Sequence, residues 1–369
     1  MLKKRLKLIL VANIVALCLF ELTSGYALFW YQKIFKVKNI WTPDQSFLQT
    51  YEDSGFAIFS AIKTIQKGYK KKELARIPKD IVGDPISLFQ TKHNILGWVP
   101  KPGTFKIIIK NHQPKDCRYP AFHDWTCTFY ENGERNTGWK KETEKQTKTV
   151  WIFGESWIQG WALDDSLTFP FQLQGMLYPK TKVRAFANGS WGTLHALRLV
   201  DLYKNIIKSE DIIIINFADW IMPRNVPSPS VVKSILENRK KIPELYNICL
   251  PLYNKDPNER LTSILELNED AEKYSAQSDP NYEELCQVTK SIFDQIKTLT
   301  KAKVLILLVD ETSNTMKEYL NNNFTLVNAV PSKDIWQKDD VLPYDAHPGP
   351  IQNNFWAQVL YNYLNQNEK

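Results

Sequence analysis

The pattern of hydrophobic and polar residues changes at about residue 148. From there, short apolar runs of strand length alternate with amphipathic stretches of helical spacing. The predicted strands cover 149–153, 182–187, 211–217 and 303–309, and the predicted helices cover 166–178, 192–207, 230–240, 284–299 and 351–364, with an irregular insertion before 280. Continuous apolar strands separated by amphipathic helices indicate a three-layer α/β/α sandwich with a mostly parallel sheet.

The stretch before this alternation has a different pattern. A Lys-rich part reads as a solvated linker, and residues 96–138 carry Gly and Pro between short β-prone runs. Asn132-Gly133 is a hairpin-turn signal. These features predict a linker and small β-rich module over 33–147, followed by the α/β domain over 148–369.

The first residues carry a targeting pattern. Lys3, Lys4, Arg5 and Lys7 precede the apolar run 8–20, and a second apolar patch follows at 26–31. Together the patches are long enough to cross a bilayer, which predicts an uncleaved signal anchor over 1–32. The protein would then be a single-pass protein of the cell membrane, with the rest of the chain on the extracytoplasmic (periplasmic) side. A cleaved signal peptide is the alternative, and it would export the chain as well.

Charge, cysteine content and motifs bear on nucleic-acid binding, disulfide bonds and cofactor sites. The formal net charge of +7 is spread along the chain, so it gives little support to nucleic-acid binding. Outside the apolar start lie four cysteines, whose most local pairing would be Cys117 with Cys127 and Cys249 with Cys286; four unpaired thiols are the alternative. The chain has neither a Cys/His cluster with zinc spacing nor a phosphate-cradling glycine motif, so we expect no metal and no cofactor.

Polar residues follow the predicted strands. Ser156 follows the first strand, 188–192 the second and 216–219 the third, and the loop 344–350 precedes the last helix. In parallel sheets of this kind, ligands bind outside the carboxyl ends of the strands. We therefore expect these loops to converge on one edge of the sheet.

Ser156 and His347 are the candidate pair for nucleophilic chemistry. A serine hydroxyl needs a base to take its proton, and that base needs a group that holds one tautomer. His347 has Asp345 two residues before it, whereas His195 lies within a predicted helix, where packing is the simpler interpretation. A helix cap at Ser156 and an ordinary Pro-rich loop at His347 are the alternatives.

Four short motifs in this order resemble those of the SGNH (GDSL) hydrolase family. They are "IFGESWIQG" (152–160), "ANGSWGT" (187–193), "NFADW" (216–220) and "YDAHP" (344–348), so the resemblance covers roughly 148–365. It implies Ser156 as the nucleophile, His347 as the general base and then acid, and Asp345 as the carboxylate that orients His347. It also implies an oxyanion hole built from the N–H of Ser156, the N–H of Gly189 or Ser190, and an Asn side chain of the third motif.

The chain departs from the family pattern at three places. Glu155 replaces the usual Asp, and Asp345 is two rather than three residues before His347. Ala218 stands where the third motif has its Asn. Asn216, two positions earlier, is the candidate substitute, although its Cβ would sit about 7 Å back along the strand. Asp219 is the other polar candidate, but an ionised carboxylate would repel an oxyanion.

The resemblance predicts acyl transfer through a serine ester. Trp157, Trp161 and Trp191 flank the predicted loops and would stack on sugar rings, or pack in the core. The prediction is a serine esterase or deacylase that acts on an O-acylated cell-envelope glycan or a similar ester. An O-acyltransferase of the same fold and a non-catalytic glycan-binding or assembly protein are the alternatives, and the sequence leaves the oligomeric state open.

Overall fold

The computed structural model describes residues 90–110, 122–139, 148–226, 228–230, 232–233, 236, 249–253, 264–266, 268–333, 335 and 347–367. The predicted anchor over 1–32, Cys117 and Asp345 lie outside these residues, as does most of the helix predicted near 230–240. Among the described helices, none is both long and apolar enough to span a bilayer.

The described residues build an α/β domain around one eight-stranded sheet. The strands that run parallel in this sheet are β6 (Lys148–Gly154), β7 (Thr181–Ala187), β8 (Ile212–Phe217), β11 (Lys303–Leu308) and β12 (Thr325–Asn328). Their order across the sheet is β12-β11-β8-β6-β7. The first strand of the series, β6, therefore lies between the second and the third, which is the doubly wound order with a topological switch point beside β6.

Seven α-helices are described. They are α1 (Ser156–Gln159), α2 (Phe169–Leu177), α3 (Thr193–Tyr203), α4 (Glu269–Ser275), α5 (Tyr282–Leu299), α6 (Asn314–Asn323) and α7 (Pro350–Asn367). Short 3₁₀ helices occur at Glu131–Gly133, Asp165–Leu167 and Asp219–Arg224. The long helices and parallel strands predicted from the sequence are confirmed, whereas α6 and β12 were not predicted and α4 falls in the stretch expected to be irregular.

Both faces of the sheet are covered. Successive strand residues point to opposite faces, so in β6 Trp151 and Phe153 pack in one core with α3, α5 and α6. Val150 and Ile152 pack in a second core with α1, α2 and α7. The α/β class with a mostly parallel sheet, predicted from the sequence, is confirmed, and its two cores lie on opposite faces.

The β-rich segment adds strands to the same sheet. β4 (Phe122–Phe129) pairs antiparallel with β3 (Gly103–Lys110) and with β5 (Glu134–Arg135), and β5 pairs antiparallel with β7. A third cluster packs Trp125, Cys127 and Phe129 against Ala162 of the loop after α1. The strands before residue 148 and the parallel strands after it therefore belong to one sheet, because β5 pairs with β7.

Two small hairpins complete the described strands. β1 (Gln90–His93) pairs with β2 (Gly97–Pro100), and β9 (Cys249–Pro251) pairs with β10 (Ile264–Glu266). Arg198 of α3 is fully buried and donates to Ile95 O in one hairpin and, at 3.0 Å, to Leu252 O beside the other. One helix side chain thereby holds both hairpins.

The cysteines differ from the local pairing. Cys127, Cys249 and Cys286 are free and buried. Cys286 lies 4.0 Å from Met222 Sδ, and the Cys249 thiol contacts Gly97 O at 3.5 Å. The pairings Cys117–Cys127 and Cys249–Cys286 are therefore wrong, because each of these three thiols packs in the interior as a small apolar group.

Candidate active site

Ser156 lies at the switch point of the sheet. One residue, Glu155, separates it from the end of β6, and Ser156 begins the single-turn helix α1. Glu155 caps this helix, its carboxylate accepting from Trp157 N at 2.7 Å. Gly160 ends the helix at φ +72°, and a Cβ there would lie 2.3 Å from Thr168 Cγ2, so glycine fits the left-handed turn. The short helix forms here because the buried strand β6 is followed at once by an N-cap residue, Glu155, and then by a C-cap glycine, Gly160.

His347 meets this serine from the other end of the chain. Its Nε2 lies 2.8 Å from Ser156 Oγ, within hydrogen-bond distance. Asn353, buried in α7, donates to Pro348 O at 3.2 Å and to Gly349 O at 2.9 Å, and it accepts from Phe169 N at 2.8 Å. The loop that carries His347 is thus fastened to the start of α2.

The Glu155 carboxylate is buried and accepts hydrogen bonds from three residues, two in α1 and one in β8. Its Oε2 accepts from Trp157 N and, at 2.9 Å, from Ser156 Oγ, and its Oε1 accepts from Asn216 Nδ2 at 2.9 Å. Burial raises the pKa of Glu155 above its usual value, and the nearby Arg224 charge opposes that rise. A serine has one proton, so Ser156 can donate either to Glu155 or to His347 at any one time.

In the loop of the second motif, the N–H of Gly189, one of the predicted oxyanion donors, is already used in a hydrogen bond within the loop. Gly189 N donates to the Asn188 side chain at 2.9 Å, and the same oxygen accepts from Gln159 Nε2 at 3.1 Å. Ser190 adopts φ +64° and is exposed. Among the described residues, the N–H groups of Ser156 and Ser190 have no acceptor, so each of these two donors is unused.

The third motif supplies no open side-chain donor. Asn216 is buried and donates to Glu155, and Ala218 is fully buried. Asp219 Oδ2 accepts from Tyr282 Oη at 2.9 Å and from Ser313 N at 3.1 Å. Asn216 therefore braces Glu155, and Asp219 fastens the loop to α5 and α6.

Aromatic rings flank the serine. The Trp157 ring centroid lies 4.7 Å from that of Trp220, and the Trp161 centroid lies 6.0 Å from that of His347. All three tryptophans are half-buried. Trp191 is fully buried and stacks on His195 at 5.1 Å, so it belongs to the core and not to a surface.

Sequence reasoning brought Ser156 and His347 together, and it missed three residues of the surroundings. Trp220 ends the third motif but was given no role, whereas Arg224 and Asn353 lie outside the motifs. Arg224 and Trp220 follow β8 at the same sheet edge as Ser156, which was the available signal. His195 is a buried helix histidine, as expected, and the contacts of Asp345 fall outside the described residues.

Comparisons with known proteins give structural likeness only. No protein-family description matches the chain, and no curated protein matches its sequence. A lipolytic protein of the G-D-S-L family from Veillonella parvula has 9% identity and a TM-score of 0.37, covering 60% of this chain and 100% of its own. The psychrotrophic esterase EstA from a Pseudoalteromonas species has 10% identity and a TM-score of 0.35, with 59% and 97% covered. A carbohydrate acetylesterase family member from Sinorhizobium meliloti has 12% identity and a TM-score of 0.32, with 60% and 98% covered.

Proposed function

We propose that this protein is a serine esterase of the SGNH hydrolase type, which cleaves an O-acyl ester through an acyl-enzyme on Ser156. One observation carries the proposal: His347 Nε2 lies 2.8 Å from Ser156 Oγ at the switch point of the sheet. A nucleophile within reach of a base is the arrangement that activates a hydroxyl at neutral pH.

Acylation begins with the serine proton. The Ser156 hydroxyl turns from Glu155 to His347, and Nε2 takes the proton as Oγ attacks the ester carbonyl carbon. The carbonyl π electrons move onto oxygen and form a tetrahedral oxyanion. When it collapses, the bond to the alcohol oxygen breaks and His347 returns the proton to that alcohol. Ser156 is left as an ester of the acyl group.

Deacylation repeats these steps with water. His347 takes a proton from water as the oxygen attacks the acyl carbon, and collapse returns Ser156 with its proton and releases a carboxylic acid. A sugar hydroxyl in place of water would make the protein an O-acyltransferase. In both cases Asp345 is proposed to hold the His347 ring, and the N–H groups of Ser156 and Ser190 are proposed to face the oxyanion.

We propose an O-acylated glycan of the cell envelope as the substrate. Trp157 and Trp161, together with Trp220, are half-buried aromatic residues near the serine, and their exposed parts are proposed to contact sugar rings. Residues 1–32 are proposed to anchor the protein in the cell membrane with this site on the periplasmic side. A phosphatase reporter fused after the last residue would be active in that orientation.

The first test labels the nucleophile directly. The full chain is treated with a fluorophosphonate probe and the adduct is located by mass spectrometry. We expect an adduct on Ser156 that is lost in Ser156→Ala and reduced at least 100-fold in rate in His347→Ala. Ser209→Ala, at an exposed serine between α3 and β8, should label like the wild type.

Each result has a defined meaning. Labelling of Ser156 that depends on His347 supports the esterase, and release of acetate from acetylated glycans with or without an acceptor sugar separates hydrolysis from transfer. Folded protein without an adduct overturns the proposal in favour of a non-catalytic glycan-binding or assembly protein.

A further inference from the structure

The motif residues supply no free side-chain donor for the oxyanion. Ala218 has none to offer, Asn216 already donates to Glu155, and Gly189 N–H already donates to Asn188. Two backbone N–H groups remain, from Ser156 and Ser190. Ester attack places a full negative charge on the carbonyl oxygen, so a further donor at this point would lower the barrier.

Arg224 lies between the loops that would supply the missing donor. It ends the 3₁₀ helix Asp219–Arg224, which follows the third motif. Its Nη1 lies 3.4 Å from Trp191 O in the second motif and 3.8 Å from Glu155 Oε2. That carboxylate oxygen is the one that Ser156 Oγ contacts at 2.9 Å, so the guanidinium and the nucleophile approach the same atom.

The backbone permits this approach at one glycine. A Cβ on Gly192 would lie 2.9 Å from Arg224 Cβ and 3.0 Å from Arg224 C, closer than packed atoms come. The second-motif loop and the 3₁₀ helix are therefore in direct contact through Gly192. Any larger residue there would push Arg224 away from the serine.

The Arg224 guanidinium has donors to spare. It carries five N–H groups, and within the described residues it donates a single long hydrogen bond, to Trp191 O. The Arg224 side chain is 30% exposed. Its guanidinium carbon Cζ lies 4.8 Å from the centroid of the Trp220 ring, and this cation–π contact holds the guanidinium in place. The charge is thus fixed beside the nucleophile and open to a ligand.

We propose that the Arg224 guanidinium donates to the substrate carbonyl oxygen as it becomes the oxyanion, in place of the Asn that Ala218 replaces. This inference rests on the proposed esterase reaction and adds a catalytic residue to it. Arg224 forms and breaks no covalent bond. Its N–H groups contact the oxygen that gains the electron pair in each tetrahedral intermediate, and they release it on collapse.

The test measures hydrolysis of p-nitrophenyl acetate, a neutral ester, by the full chain. Arg224→Met should lower kcat about 100-fold to 1000-fold with little change in KM, and it should slow fluorophosphonate labelling by a similar factor. Arg224→Lys should retain part of kcat. Guanidinium chloride at concentrations below those that unfold the protein should raise kcat of Arg224→Ala and leave Ser156→Ala inactive. Lys290→Met removes a cation of α5 that lies over the Tyr319 ring of α6, and this variant should keep full kcat.

The outcomes separate this proposal from the esterase reaction itself. Wild-type labelling at Ser156 with unchanged kcat in Arg224→Met overturns the role of Arg224 and leaves the esterase intact. A raised KM for p-nitrophenyl acetate with an unchanged kcat in Arg224→Met would make Arg224 a substrate-binding residue and overturn the proposal. Loss of activity without guanidinium rescue, together with a lowered melting temperature, would show a structural role and overturn it as well. Absence of any wild-type adduct would reject the esterase reaction and this inference with it.

Discussion

Gly154, the last residue of β6, sits where a side chain would collide with the site. A Cβ there would lie 2.5 Å from Ile158 Cγ1 and 2.6 Å from Asn216 Oδ1. We predict that Gly154→Ala lowers the free energy of unfolding by about 1–3 kcal/mol, because the overpacked contact displaces its neighbours. Urea unfolding of the full chain measures this loss.

Gly175 in α2 is the matched control, since no atom other than those of its chain neighbours and its own helix backbone lies within 4 Å of the position of its Cβ. Gly175→Ala should be neutral or stabilise the protein by about 0.5–1 kcal/mol, because alanine restricts the unfolded chain and favours the helix. Equal stability of the two variants would contradict the crowding inferred at Gly154.

Glu155 stands where the motif that this stretch resembles has Asp, and its longer side chain has a consequence for its neighbours. The longer side chain reaches Trp157 N with one oxygen and Asn216 Nδ2 with the other. Glu155 and Asn216 therefore bond to each other, and both lie in motifs where the sequence departs from the family that it resembles. Asn216 serves this carboxylate, which leaves Arg224 as the side-chain donor with free capacity.

The loop after α1 takes the place of a strand partner beside β4. Asp164 accepts from Thr126 N at 2.7 Å and Asp165 from Thr128 N at 3.0 Å, both main-chain groups of β4. Asp165 also pairs with Arg135, at 2.9 Å from its Nε, and that arginine side chain is only 1% exposed. The element that carries Ser156 is thus fixed to the antiparallel strands.

We predict that Asp165→Asn destabilises the fold by about 3–5 kcal/mol, because it leaves the buried Arg135 charge without its partner. Chemical unfolding followed by tryptophan fluorescence gives the value. Asp201→Asn is the matched control, since its pair with Lys204 is solvent-exposed and should contribute less than about 1 kcal/mol. A loss at Asp165 no larger than the loss at Asp201 would argue against the buried pair.

The elements that the sequence predicts are those with a strong period or a long apolar run. β8, with Ile212 to Ile215, and the amphipathic helix α5 belong to this class. The helix α6, "NTMKEYLNNN", buries only Met316 and Leu320, and β12 is a short edge strand, so their patterns are weak. Alternation identifies β3 and β4 as strands but cannot name the sheet they join, because pairing is set by distant residues.

The candidate site divides in the same way. Ser156 and His347 follow from motifs and from the rule that loops converge at the carboxyl ends of strands. Arg224 and Asn353 are ordinary polar residues in the sequence, and their significance depends on what they reach across the fold. Trp191 lies in the second motif, and the sequence alone does not distinguish it from an exposed tryptophan. In the fold the hairpin β1-β2 covers it, since its Nε1 donates to Trp98 O at 3.2 Å.

The stability of the whole domain should depend on pH through His195. This residue is buried, and its Nδ1 accepts from Gly192 N at 3.0 Å, so the folded state holds a neutral ring. Burial, with a smaller contribution from the Arg198 charge, lowers the pKa of His195 well below 6.5. The unfolded chain binds a proton below about pH 6.5 and the folded chain does not, so stability is lost as the pH falls through that value.

We predict that the wild type loses up to about 2 kcal/mol more stability than His195→Asn between pH 7.5 and pH 5.0. Asn keeps an acceptor for Gly192 N and does not titrate. Burial also lowers the pKa of His93, and this contribution is common to both proteins, so it cancels in the difference. Identical pH profiles would show that His195 titrates in the folded state as it does in the unfolded chain.

The antiparallel strands β3, β4 and β5 precede β6 in the chain but lie beyond β7 in the sheet, and this has a consequence for how the protein tolerates shortening. A fragment that begins at Lys148 would lose β5 from the edge of β7, the bond from Thr137 Oγ1 to Val183 O, and the cover of Ala162 by Trp125 and Phe129. An uncovered strand beside exposed apolar side chains is a template for strand addition by a second chain. The fragment that begins at Lys148 and holds Ser156 would therefore aggregate when expressed alone.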